Sequence, residues 1–404
     1  MRLAILTSHP IQYNAPLFAA LAKCDGLVPR VFYCWEGYAD SVDKEFGKRV
    51  DWDIPLLEGY DYCFEENRAS DPGTHHFFGL VNPSMLDSIE KWSPDALLVY
   101  GWSSATHVRA LRYFKNRIPV FFRGDSTLLF GNKGFRGLAR KIFLSWIYRH
   151  VDHAFYAGQY NKAYFEAFGL TPRQLHWAPH SVDNEWFRQS VMHGETAIVR
   201  TRQAMGIGDD EIVILFAGKL VDRKKPLLLL EAAKEVASHR ANPGFHLVIV
   251  GDGVQYEELC ELSAADNWVH MVGFQNQSMM PVYYGLSSVY VLPSVRETWG
   301  LGVNEAMACG KPCIVSDLVG CALDLVHTGR TGEVVQNDSV EALSIALRKY
   351  IEDPGLASRQ KASIAKTIDE WSVRRAAECM HNVFDEVVVV QSQETKYEDN
   401  QNLP

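Results

Sequence analysis

Short apolar runs alternate with amphipathic stretches along most of the chain, and this alternation limits the folds that are open to it. A short apolar run bounded by turn residues is typical of a strand buried on both faces of a parallel sheet, and an amphipathic stretch is typical of a helix that covers such a sheet. The pattern therefore predicts an α/β fold. Its strands are predicted at 3–7, 29–34, 96–101, 120–123, 153–156 and 175–178 in the first half and at 212–217, 246–250, 269–272, 289–292 and 313–315 in the second. Each set is large enough for a doubly wound parallel sheet.

The chain is long enough for two such sheets. Its 404 residues, 47% of them apolar, exceed what one ordinary core accommodates, so the sequence predicts two domains. The polar, weakly patterned run 188–210 favours domains at 1–187 and 188–370. A helix at about 371–388 is predicted to pack back on the first domain, and the polar residues 391–404 are predicted to be disordered.

Charge and cysteine content exclude several classes of protein. The net charge of −9 argues against binding of nucleic acid, although residues 96–151 contain ten Lys and Arg and a single acid, Asp125. Eight cysteines without a C-x-x-C pair match neither a disulfide framework nor a zinc site. The N-terminal apolar run is too short for a signal peptide, and no run approaches the ~18 apolar residues of a membrane-spanning helix. The sequence therefore predicts a cytoplasmic protein.

Two glutamates flank the most informative turn of the second half. Glu297 and Glu305 have seven residues between them, including Gly300 and Gly302, where an apolar strand gives way to a helix. Such a turn offers unpaired backbone amides and the positive end of a helix dipole to phosphate, and a carboxylate on either side can accept hydrogen bonds from sugar hydroxyls. The spacing suits a diphosphate with polyols at both ends. A helix-end acid and a surface loop are the structural alternatives.

Four segments together resemble the donor-binding half of glycosyltransferase family 4. They are Phe-Ala-Gly-Lys-Leu-Val-Asp-Arg-Lys-Lys-Pro at 216–226, Leu-Val-Ile-Val-Gly-Asp-Gly at 247–253, Val-Gly-Phe at 272–274 and the run from Pro293 through Glu297 to Glu305. Their order and spacing agree with the family over about 211–336. In the first half, Ala-Pro-His-Ser-Val-Asp at 178–183 resembles the segment that precedes the crossover between domains.

The resemblance implies a GT-B fold, in which two Rossmann-like domains face each other and the second binds a nucleotide sugar. It also implies transfer with retention of anomeric configuration, no bound metal or other cofactor, and UDP as the default carrier. By position, Glu305 is expected to bind the ribose hydroxyls and Glu297 to lie beside the donor sugar, while Lys219 and Lys224 meet the diphosphate. The remaining residues assigned to the donor site are Gly218, Phe274, Thr298, Trp299, Gly300, Leu301 and Gly302.

The first half departs from the family pattern at Arg123. Many family members have a histidine here, after the strand at 120–123, where it faces the donor sugar. We expect Arg123 to bind phosphate or an anionic acceptor, and Asp125 to pair with it or to stabilise positive charge on the sugar. With Glu297 and Lys224, these two residues form the predicted catalytic set. A purely structural ion pair between Arg123 and Asp125 is the alternative.

Polar residues after the first strand are candidates for the acceptor or sugar side of the site. His9, Gln12 and Asn14 replace the glycine-rich turn that the family often has, past the carboxyl end of a strand, where ligands bind in open sheets. His180 is a further candidate on this side. Capping of the next helix by Asn14 is the alternative.

The segment 133–149 has the pattern of a basic amphipathic helix. Basic and aromatic residues occur in it at helical spacing: Arg136, Arg140, Lys141, Phe143, Trp146, Tyr148 and Arg149. Such a helix can rest on anionic lipid, and family members that act on lipid-linked acceptors often dock through the first domain. The sequence therefore predicts contact with the inner face of a membrane. The alternative is an ordinary covering helix whose aromatic side chains belong to the core.

Two further motifs contain residue types that bind metals but favour no metal site. Asp51-Trp-Asp53 resembles the Asp-x-Asp pair of another class of sugar transferases, yet it does not follow an apolar strand. His75-His76 has no further obvious ligand nearby. No metal site is predicted.

As a whole, the sequence predicts a retaining glycosyltransferase. It moves a sugar from a nucleoside diphosphate to a hydroxyl of a glycan, a lipid-linked glycan or a small molecule. Two alternatives share the fold. One is a nucleotide-sugar 2-epimerase, which requires acid and base carboxylates over the sugar ring and no acceptor. The other is a catalytically silent protein that binds a nucleotide sugar.

Overall fold

A computed structural model describes residues 1–36, 42–43, 48–49, 51–130, 134–240 and 243–401. The chain forms two compact units. The first comprises Met1–Ala39, Pro55–Pro179 and Val373–Pro404, and the second comprises Asp40–Ile54 and His180–Ser372. The chain therefore passes from the first unit to the second and back more than once.

The described residues form fifteen strands. In chain order they are β1 (Arg2–Thr7), β2 (Val28–Tyr33), β3 (Val42–Asp43), β4 (Lys48–Arg49), β5 (Asp61–Phe64), β6 (Ala96–Tyr100), β7 (Val120–Gly124), β8 (His153–Tyr156), β9 (Leu175–Trp177), β10 (Ile212–Ala217), β11 (Phe245–Val250), β12 (Val269–Gly273), β13 (Val289–Leu292), β14 (Cys313–Ser316) and β15 (Gly332–Val335).

The same residues form fifteen α-helices and four short 3-10 helices. The α-helices are α1 (Ala15–Leu21), α2 (Met85–Trp92), α3 (Ala105–Phe114), α4 (Phe135–Tyr148), α5 (Gln159–Ala167), α6 (Asn184–His193), α7 (Glu195–Ala204), α8 (Pro226–Ser238), α9 (Tyr256–Ser263), α10 (Met280–Leu286), α11 (Leu301–Ala308), α12 (Ala322–Leu325), α13 (Val340–Glu352), α14 (Leu356–Asp369) and α15 (Val373–Gln401). The 3-10 helices are Phe77–Gly79, Pro172–Gln174, Asp222–Lys224 and Gln277–Met279.

The sheet of the first unit has seven parallel strands in the order β5-β2-β1-β6-β7-β8-β9. Successive residues of the inner strand β1 point to opposite faces, so Ala4 packs in one core and Ile5 in the other. Because both faces are covered, consecutive residues are buried, which explains the unbroken apolar run in the sequence. Helix α15 contributes Met380 and Phe384 to one of these cores.

The sheet of the second unit has six parallel strands in the order β12-β11-β10-β13-β14-β15. Ile214 and Phe216 of the inner strand β10 pack in a core that α8 and α13 close with Leu229 and Leu347. Helices thus cover parallel sheets in both units. The predicted α/β fold with two Rossmann-like domains is confirmed.

The sequence prediction omits one edge strand of each large sheet, β5 and β15, as well as the short pair β3 and β4. Asp61 and Tyr62 of β5 are exposed, and β15 contains Glu333, which pairs with Lys349 at 2.8 Å. An edge strand has neighbours on one side alone, and polar residues interrupt its apolar run. The other two edge strands, β9 and β12, match predicted strands, so apolar runs reveal every inner strand of the two large sheets and some of their edges.

The crossover from the first unit to the second lies at residues 179 and 180, whereas the sequence placed the boundary at 187 and 188. Helix α6 runs without a break through that position, and Asp183 caps it by accepting a hydrogen bond from the Trp186 amide at 3.0 Å. The polar residues on either side of position 187 are therefore part of helix α6 and do not form a linker. The predicted tail 391–404 also differs, because α15 extends to Gln401; residues 402–404 lie outside the described part of the chain.

Candidate functional site

The candidate site is built at one edge of the second sheet. The carboxyl ends of parallel strands meet at the same edge, and ligands of open α/β sheets bind there. Gly218 follows β10, Gly251 follows β11, half-buried Phe274 follows β12, and Glu297 lies in the loop after β13. The residues that the sequence assigned to the donor therefore share one edge of one unit.

The turn after β10 packs tightly against the turn after β11. Leu220 N donates a hydrogen bond to Asp252 O at 2.9 Å. A Cβ atom added to Gly251, which has a φ of 143°, would lie 1.9 Å from Gly218 O, so this position requires glycine. The close packing holds the half-buried Lys219 at the edge of the sheet.

Lys224 and Glu297 make the most direct contact between predicted site residues. Lys224 ends the 3-10 helix Asp222–Lys224, and its Nζ contacts Glu297 Oε2. Arg223 Nη1 lies 3.9 Å from the same oxygen, and Val295 N donates to Arg223 O at 2.9 Å. The Lys224 and Glu297 side chains are 15% and 14% exposed, so water screens their attraction less than it would at the surface. Two cations thus meet one carboxylate.

The glycine-bearing turn after β13 leads into helix α11. Gly300 has a φ of 99°, Leu301 begins the helix, and Gly302 lies in its first turn. Glu297 O accepts a hydrogen bond from Gly320 N at 3.0 Å, which ties the turn to the loop after β14. The first amides of a helix have no acceptor within the helix, and this end carries the positive end of the dipole. The turn therefore places the positive end of the α11 dipole beside Glu297.

Glu305 lies in the second turn of α11 and is 4% exposed. Gln277 Nε2 donates to its Oε1 at 3.0 Å, and the Tyr284 hydroxyl donates to its Oε2 at 2.6 Å. A buried carboxylate is unfavourable unless it is hydrogen-bonded, and these two bonds offset that cost. Glu305 is therefore an acceptor whose orientation is set before a ligand binds.

The side chain of Trp299 belongs to the interior of the unit. Its Nε1 donates to Asn304 Oδ1 at 2.8 Å, and its ring stacks on Trp371 with centroids 5.1 Å apart. The His180 ring lies 5.7 Å from the Trp299 ring, and Asn304 Nδ2 donates to His180 O at 3.0 Å. The structure thus brings His180 beside this turn. Trp299 offers a ligand its backbone, while the side chain of Thr298 is exposed.

In the first unit, His9, Gln12 and Asn14 lie in the connection between β1 and α1. His9 Nδ1 is 2.9 Å from Ser8 Oγ, and burial lowers the pKa of His9 from 6.5 to about 4, so its ring is neutral at neutral pH. Among the described residues, the Asn14 side chain finds no capping partner in α1. The alternative of a capping role for Asn14 is therefore wrong.

Arg123, at the end of β7, is 5% exposed. Its Nη1 donates to Ala178 O and its Nη2 donates to Pro179 O, both at 3.0 Å. Burial lowers the pKa of Arg123, and the nearby Tyr100 and Asp125 act in the opposite direction. The guanidinium thus holds the two carbonyls that follow β9. The catalytic roles of Arg123 and of the exposed Asp125 stay predictions.

The motif Asp51-Trp-Asp53 lies in the second unit and makes hydrogen bonds there. Asp53 Oδ1 accepts from Ser278 N at 3.0 Å, and its Oδ2 accepts from the Ser278 hydroxyl. Asn276 Nδ2 donates to Asp51 O at 2.6 Å. Asn276 is the N-cap of the 3-10 helix Gln277–Met279 and accepts from Gln277 N at 2.8 Å, and the bonds from Ser278 to Asp53 add to this cap. Because Gln277 donates to Glu305, the motif supports the orientation of Glu305 indirectly.

Helix α4 carries apolar side chains on its surface. Those that are exposed are Phe135, Leu138, Ile142, Phe143 and Trp146. Tyr148 is buried, so the alternative of aromatic side chains in the core holds for Tyr148 and is wrong for Phe143 and Trp146. Within the part of the chain that the structure describes, no helix has both the length and the apolar content needed to cross a bilayer.

Sequence reasoning missed the residues that orient the predicted carboxylates. Gln277 and Tyr284 lie 28 and 21 residues before Glu305, and no local pattern connects them with it. Arg223 was visible as the neighbour of Lys224 in the motif, and its basic side chain was a usable signal. Such long-range partners can be recognised only in the folded protein, because the sheet brings loops that are separate in sequence together at one edge.

A comparison with protein families finds a match within the second unit. Residues 198–367 match the family Glycosyl transferases group 1. This region is less than half of the 404-residue chain.

Curated proteins match over about half of the chain. The chain is 30% identical over 242 residues to the GDP-mannose-dependent α-(1-6)-phosphatidylinositol monomannoside mannosyltransferase of Mycolicibacterium smegmatis, and the alignment covers 55% of this chain and 59% of that protein. It is 26% identical over 225 residues to the UDP-Gal:α-D-GlcNAc-diphosphoundecaprenol α-1,3-galactosyltransferase of Escherichia coli, with 54% and 56% covered. The chain thus spans about half the length of these curated relatives.

Solved structures match over nearly the whole chain. A glycosyltransferase from Rickettsia africae has a TM-score of 0.72 at 16% identity, with 96% of this chain and 98% of that chain covered. Anabaena HepE, in complex with UDP, has a TM-score of 0.71 at 17% identity, with 96% and 100% covered. At these identities the likeness shows the fold, which is that of GT-B glycosyltransferases.

Proposed function

We propose that this chain, whose residues 198–367 match the group 1 glycosyl transferases, is a glycosyltransferase that uses a nucleoside-diphosphate sugar. The observation that carries the proposal is the turn between β13 and α11. Glu297 and Glu305 lie on either side of the first amides of a helix, and Lys224 and Arg223 lie next to Glu297. An anion-binding turn between two carboxylate acceptors suits a diphosphate with a sugar at one end and a ribose at the other.

In this proposal, Glu305 accepts hydrogen bonds from the ribose hydroxyls. Gln277 and Tyr284 already orient its two oxygens. Glu297 binds hydroxyls of the donor sugar. Lys224 divides its charge between Glu297 and the diphosphate, and Lys219 supplies a second cation without the bidentate geometry of arginine.

The proposed reaction retains the anomeric configuration. The acceptor hydroxyl attacks the anomeric carbon from the face that the diphosphate leaves, and the departing diphosphate oxygen takes the hydroxyl proton. Lys219, Lys224 and the first amides of α11 stabilise the negative charge that develops on the leaving group. These groups make a metal ion unnecessary. Further donor contacts come from Gly218 and Phe274.

UDP is the favoured carrier. The Anabaena neighbour was solved with UDP and with UDP-glucose. The name of the E. coli relative specifies UDP-galactose, whereas that of the mycobacterial relative specifies GDP-mannose. A test of the donor therefore has to include both bases.

The acceptor is a hydroxyl of a glycan, a lipid-linked glycan or a small molecule, and the surface of α4 favours the lipid-linked one. Five exposed apolar side chains of α4 lie among the exposed Arg136, Lys141 and Arg149. A helix with such a surface binds the headgroup region of an anionic bilayer. The E. coli relative is named for a diphosphoundecaprenol-linked acceptor. Association with the inner face of the membrane, from the cytoplasm, follows as part of the proposal.

Sedimentation with phospholipid vesicles tests the α4 surface. The protein is expected to bind anionic vesicles in preference to neutral ones, and Phe135→Ser with Ile142→Ser is expected to lower the bound fraction about threefold or more. Val199→Ser, at an exposed apolar residue of α7, is the matched control. Equal binding by all three proteins would remove the membrane from the proposal.

Calorimetric titration tests the donor site. The ligands are uridine, guanosine and adenosine diphosphates and their common sugars, with chelator present. One carrier is expected to bind, and Glu305→Gln is expected to weaken its affinity about tenfold, a loss of roughly 1.4 kcal/mol. Glu333→Gln is the matched control, because Glu333 is a buried glutamate of the same unit that pairs with Lys349. Binding of no carrier, or equal binding by the Glu305 variant, would contradict the assignment.

Activity assays on the same protein preparation distinguish the proposed function from the two alternative functions. Tight binding with no turnover on any acceptor would favour a silent nucleotide-sugar-binding protein. Conversion of the bound sugar to its 2-epimer without an acceptor would favour an epimerase. Transfer to an added acceptor supports the proposed function.

A further inference from the structure

Three side chains that can bind a metal converge in the loop after β5 of the first unit. The Nε2 atoms of His75 and His76 lie 3.0 and 3.4 Å from one oxygen of Asp71, Oδ2. One ligand atom from each residue lies within 4.8 Å of the other two. The sequence shows no obvious further ligand near His75-His76, whereas the structure brings Asp71, four residues before His75, next to both rings.

The distances fit the coordination shell of a transition metal. Zinc binds imidazole nitrogen at about 2.0–2.1 Å and carboxylate oxygen at about 2.0–2.2 Å, so two ligand atoms at a tetrahedral angle are about 3.3 Å apart. The two separations between histidine and Asp71 are close to this value. His76 Nε2 also lies 2.9 Å from Asp71 O, so an ion is accommodated when the His76 ring turns from this carbonyl toward the ion.

The loop that carries the three residues is closed by hydrogen bonds. Gly73 N donates to Gly79 O at 3.0 Å, and Asn67 Nδ2 donates to the same oxygen at 2.9 Å. Asn67 Oδ1 accepts from Val81 N at 2.9 Å, and Leu80 is buried in the core. Both ends of the loop are thus held together. Such preorganisation lowers the entropy that an ion must overcome on binding.

The backbone at Gly73 and His76 allows both imidazole rings to reach Asp71. A Cβ atom on Gly73, which has a φ of 155°, would lie 2.5 Å from His75 Nδ1. His76 has extended dihedrals, φ −149° and ψ 163°, and in extended chain neighbouring side chains usually point to opposite sides. Both rings nevertheless turn toward Asp71, and their centroids are 4.6 Å apart. Glycine at position 73 thus leaves room for the His75 ring.

We propose that Asp71, His75 and His76 bind a divalent transition-metal ion, that zinc fits the site, and that water completes its shell. Imidazole ligands favour zinc and similar ions over magnesium, which prefers oxygen ligands. Each imidazole binds through Nε2 and keeps its proton on Nδ1. The His75 and His76 side chains are 38% and 37% exposed, so an ion reaches them from solvent.

The metal site belongs to the first unit, whereas the donor residues belong to the second. The ion is therefore proposed to cross-link the loop after β5. Its presence raises the stability of the loaded protein, because an ion that binds the folded loop and not the unfolded chain shifts the equilibrium toward the folded state.

Titration of the metal-free full chain with zinc alone tests the site. One equivalent is expected to bind, and His75→Ala and His76→Ala are each expected to weaken the affinity about tenfold or more. His193→Ala is the matched control, because His193 is an exposed histidine at the end of α6. Magnesium in excess is expected not to displace the zinc.

Cobalt provides a second readout that does not depend on affinity. Cobalt bound by two imidazoles and a carboxylate is expected to give visible absorption bands, which the double variant His75→Ala/His76→Ala loses. The metal-free variants are expected to melt at the temperature of the unaltered metal-free protein, because the histidines are partly exposed and bonds of Gly73 and Asn67 close the loop without them. No saturable zinc binding, or binding that the double variant retains in full, would overturn the proposal.

Discussion

The Lys224 ammonium contacts the Glu297 carboxylate across 73 positions of sequence, at the point where the loops after β10 and β13 meet. Both side chains are largely buried, and each neutralises the charge of the other. A diphosphate that draws Lys224 toward itself leaves Glu297 with more capacity to accept sugar hydroxyls. The contact thus links the diphosphate of the proposed donor with its sugar.

Substitution of Lys224 tests this link. Lys224→Ala is expected to lower kcat about a hundredfold, because the leaving diphosphate loses a fixed cation. Steady-state transfer rates at saturating donor provide the measurement. Lys234→Ala is the control, since Lys234 pairs with Asp266 on the surface of the same unit. A Lys224 variant within about threefold of the unaltered rate would remove this lysine from the proposed mechanism.

Substitution of Arg123 separates a structural from a catalytic role. Arg123→Met leaves two carbonyls without their donors, so the free energy of unfolding is expected to fall by roughly 2–4 kcal/mol. Affinity for the nucleotide is expected to stay unchanged. Arg117→Met is the control, because Arg117 is half exposed in the same unit. Unchanged denaturant midpoints with loss of transfer would instead support the catalytic prediction.

Asp53 is expected to affect donor binding without contacting the donor. Asp53→Ala removes the two hydrogen bonds from Ser278 while the N-cap Asn276 remains, at a cost of about 1 kcal/mol, and loosens the neighbouring Gln277 that orients Glu305. Nucleotide affinity is therefore expected to fall about fivefold by calorimetry. Glu58→Ala, at an exposed residue close by in sequence, is expected to leave the affinity unchanged. Equal affinities in both variants would contradict the support role of Asp53.

Removal of metal ions is expected to lower the melting temperature of the protein without abolishing sugar transfer. Transfer is expected to persist in the presence of a chelator, because lysines and helix amides balance the charge of the leaving group. The melting temperature of zinc-loaded protein is expected to fall on chelation, because the ion stabilises the folded loop. Rate and melting curve are recorded on the same samples. Loss of transfer that magnesium or manganese restores would assign a metal to the diphosphate.

Acid sensitivity is expected from the buried histidines. Burial lowers the pKa of His107 from 6.5 to about 4, so below pH 6.5 the unfolded chain takes up a proton that the folded protein does not. The free energy of unfolding therefore falls as pH falls from 6.5 to 4, by up to about 3 kcal/mol for this residue. His107→Leu is expected to reduce the slope in denaturant titrations across this range.

The inner strands could be predicted because their residues are buried on both faces of a sheet. Ile214 and its neighbours in β10 form an unbroken apolar run for this reason. The positions of Glu297 and Glu305 were also readable, since a strand, a glycine and a helix within a few residues define the turn locally. Such features depend on residues that are close in sequence.

The supporting contacts could not be predicted because they depend on residues far apart in the chain. Ser278 and Asp53 are 225 positions apart, and Arg123 binds carbonyls 55 and 56 positions away. Asp71 was within reach of a sequence argument, but nothing in its spacing from His75 shows that the loop folds back. The sheet topology decides which of these pairs meet.

The second unit is assembled from two separate stretches of chain, Asp40–Ile54 and His180–Ser372. Asp53 of the short stretch caps a helix of the long one, and Val182 pairs with Ser372 at the two ends of the latter. A chimaera that exchanges 180–372 alone would separate Ser278 from its native carboxylate. Recombination between related enzymes thus has to carry both stretches together, so the module that evolution or an engineer can transplant is not a continuous gene segment.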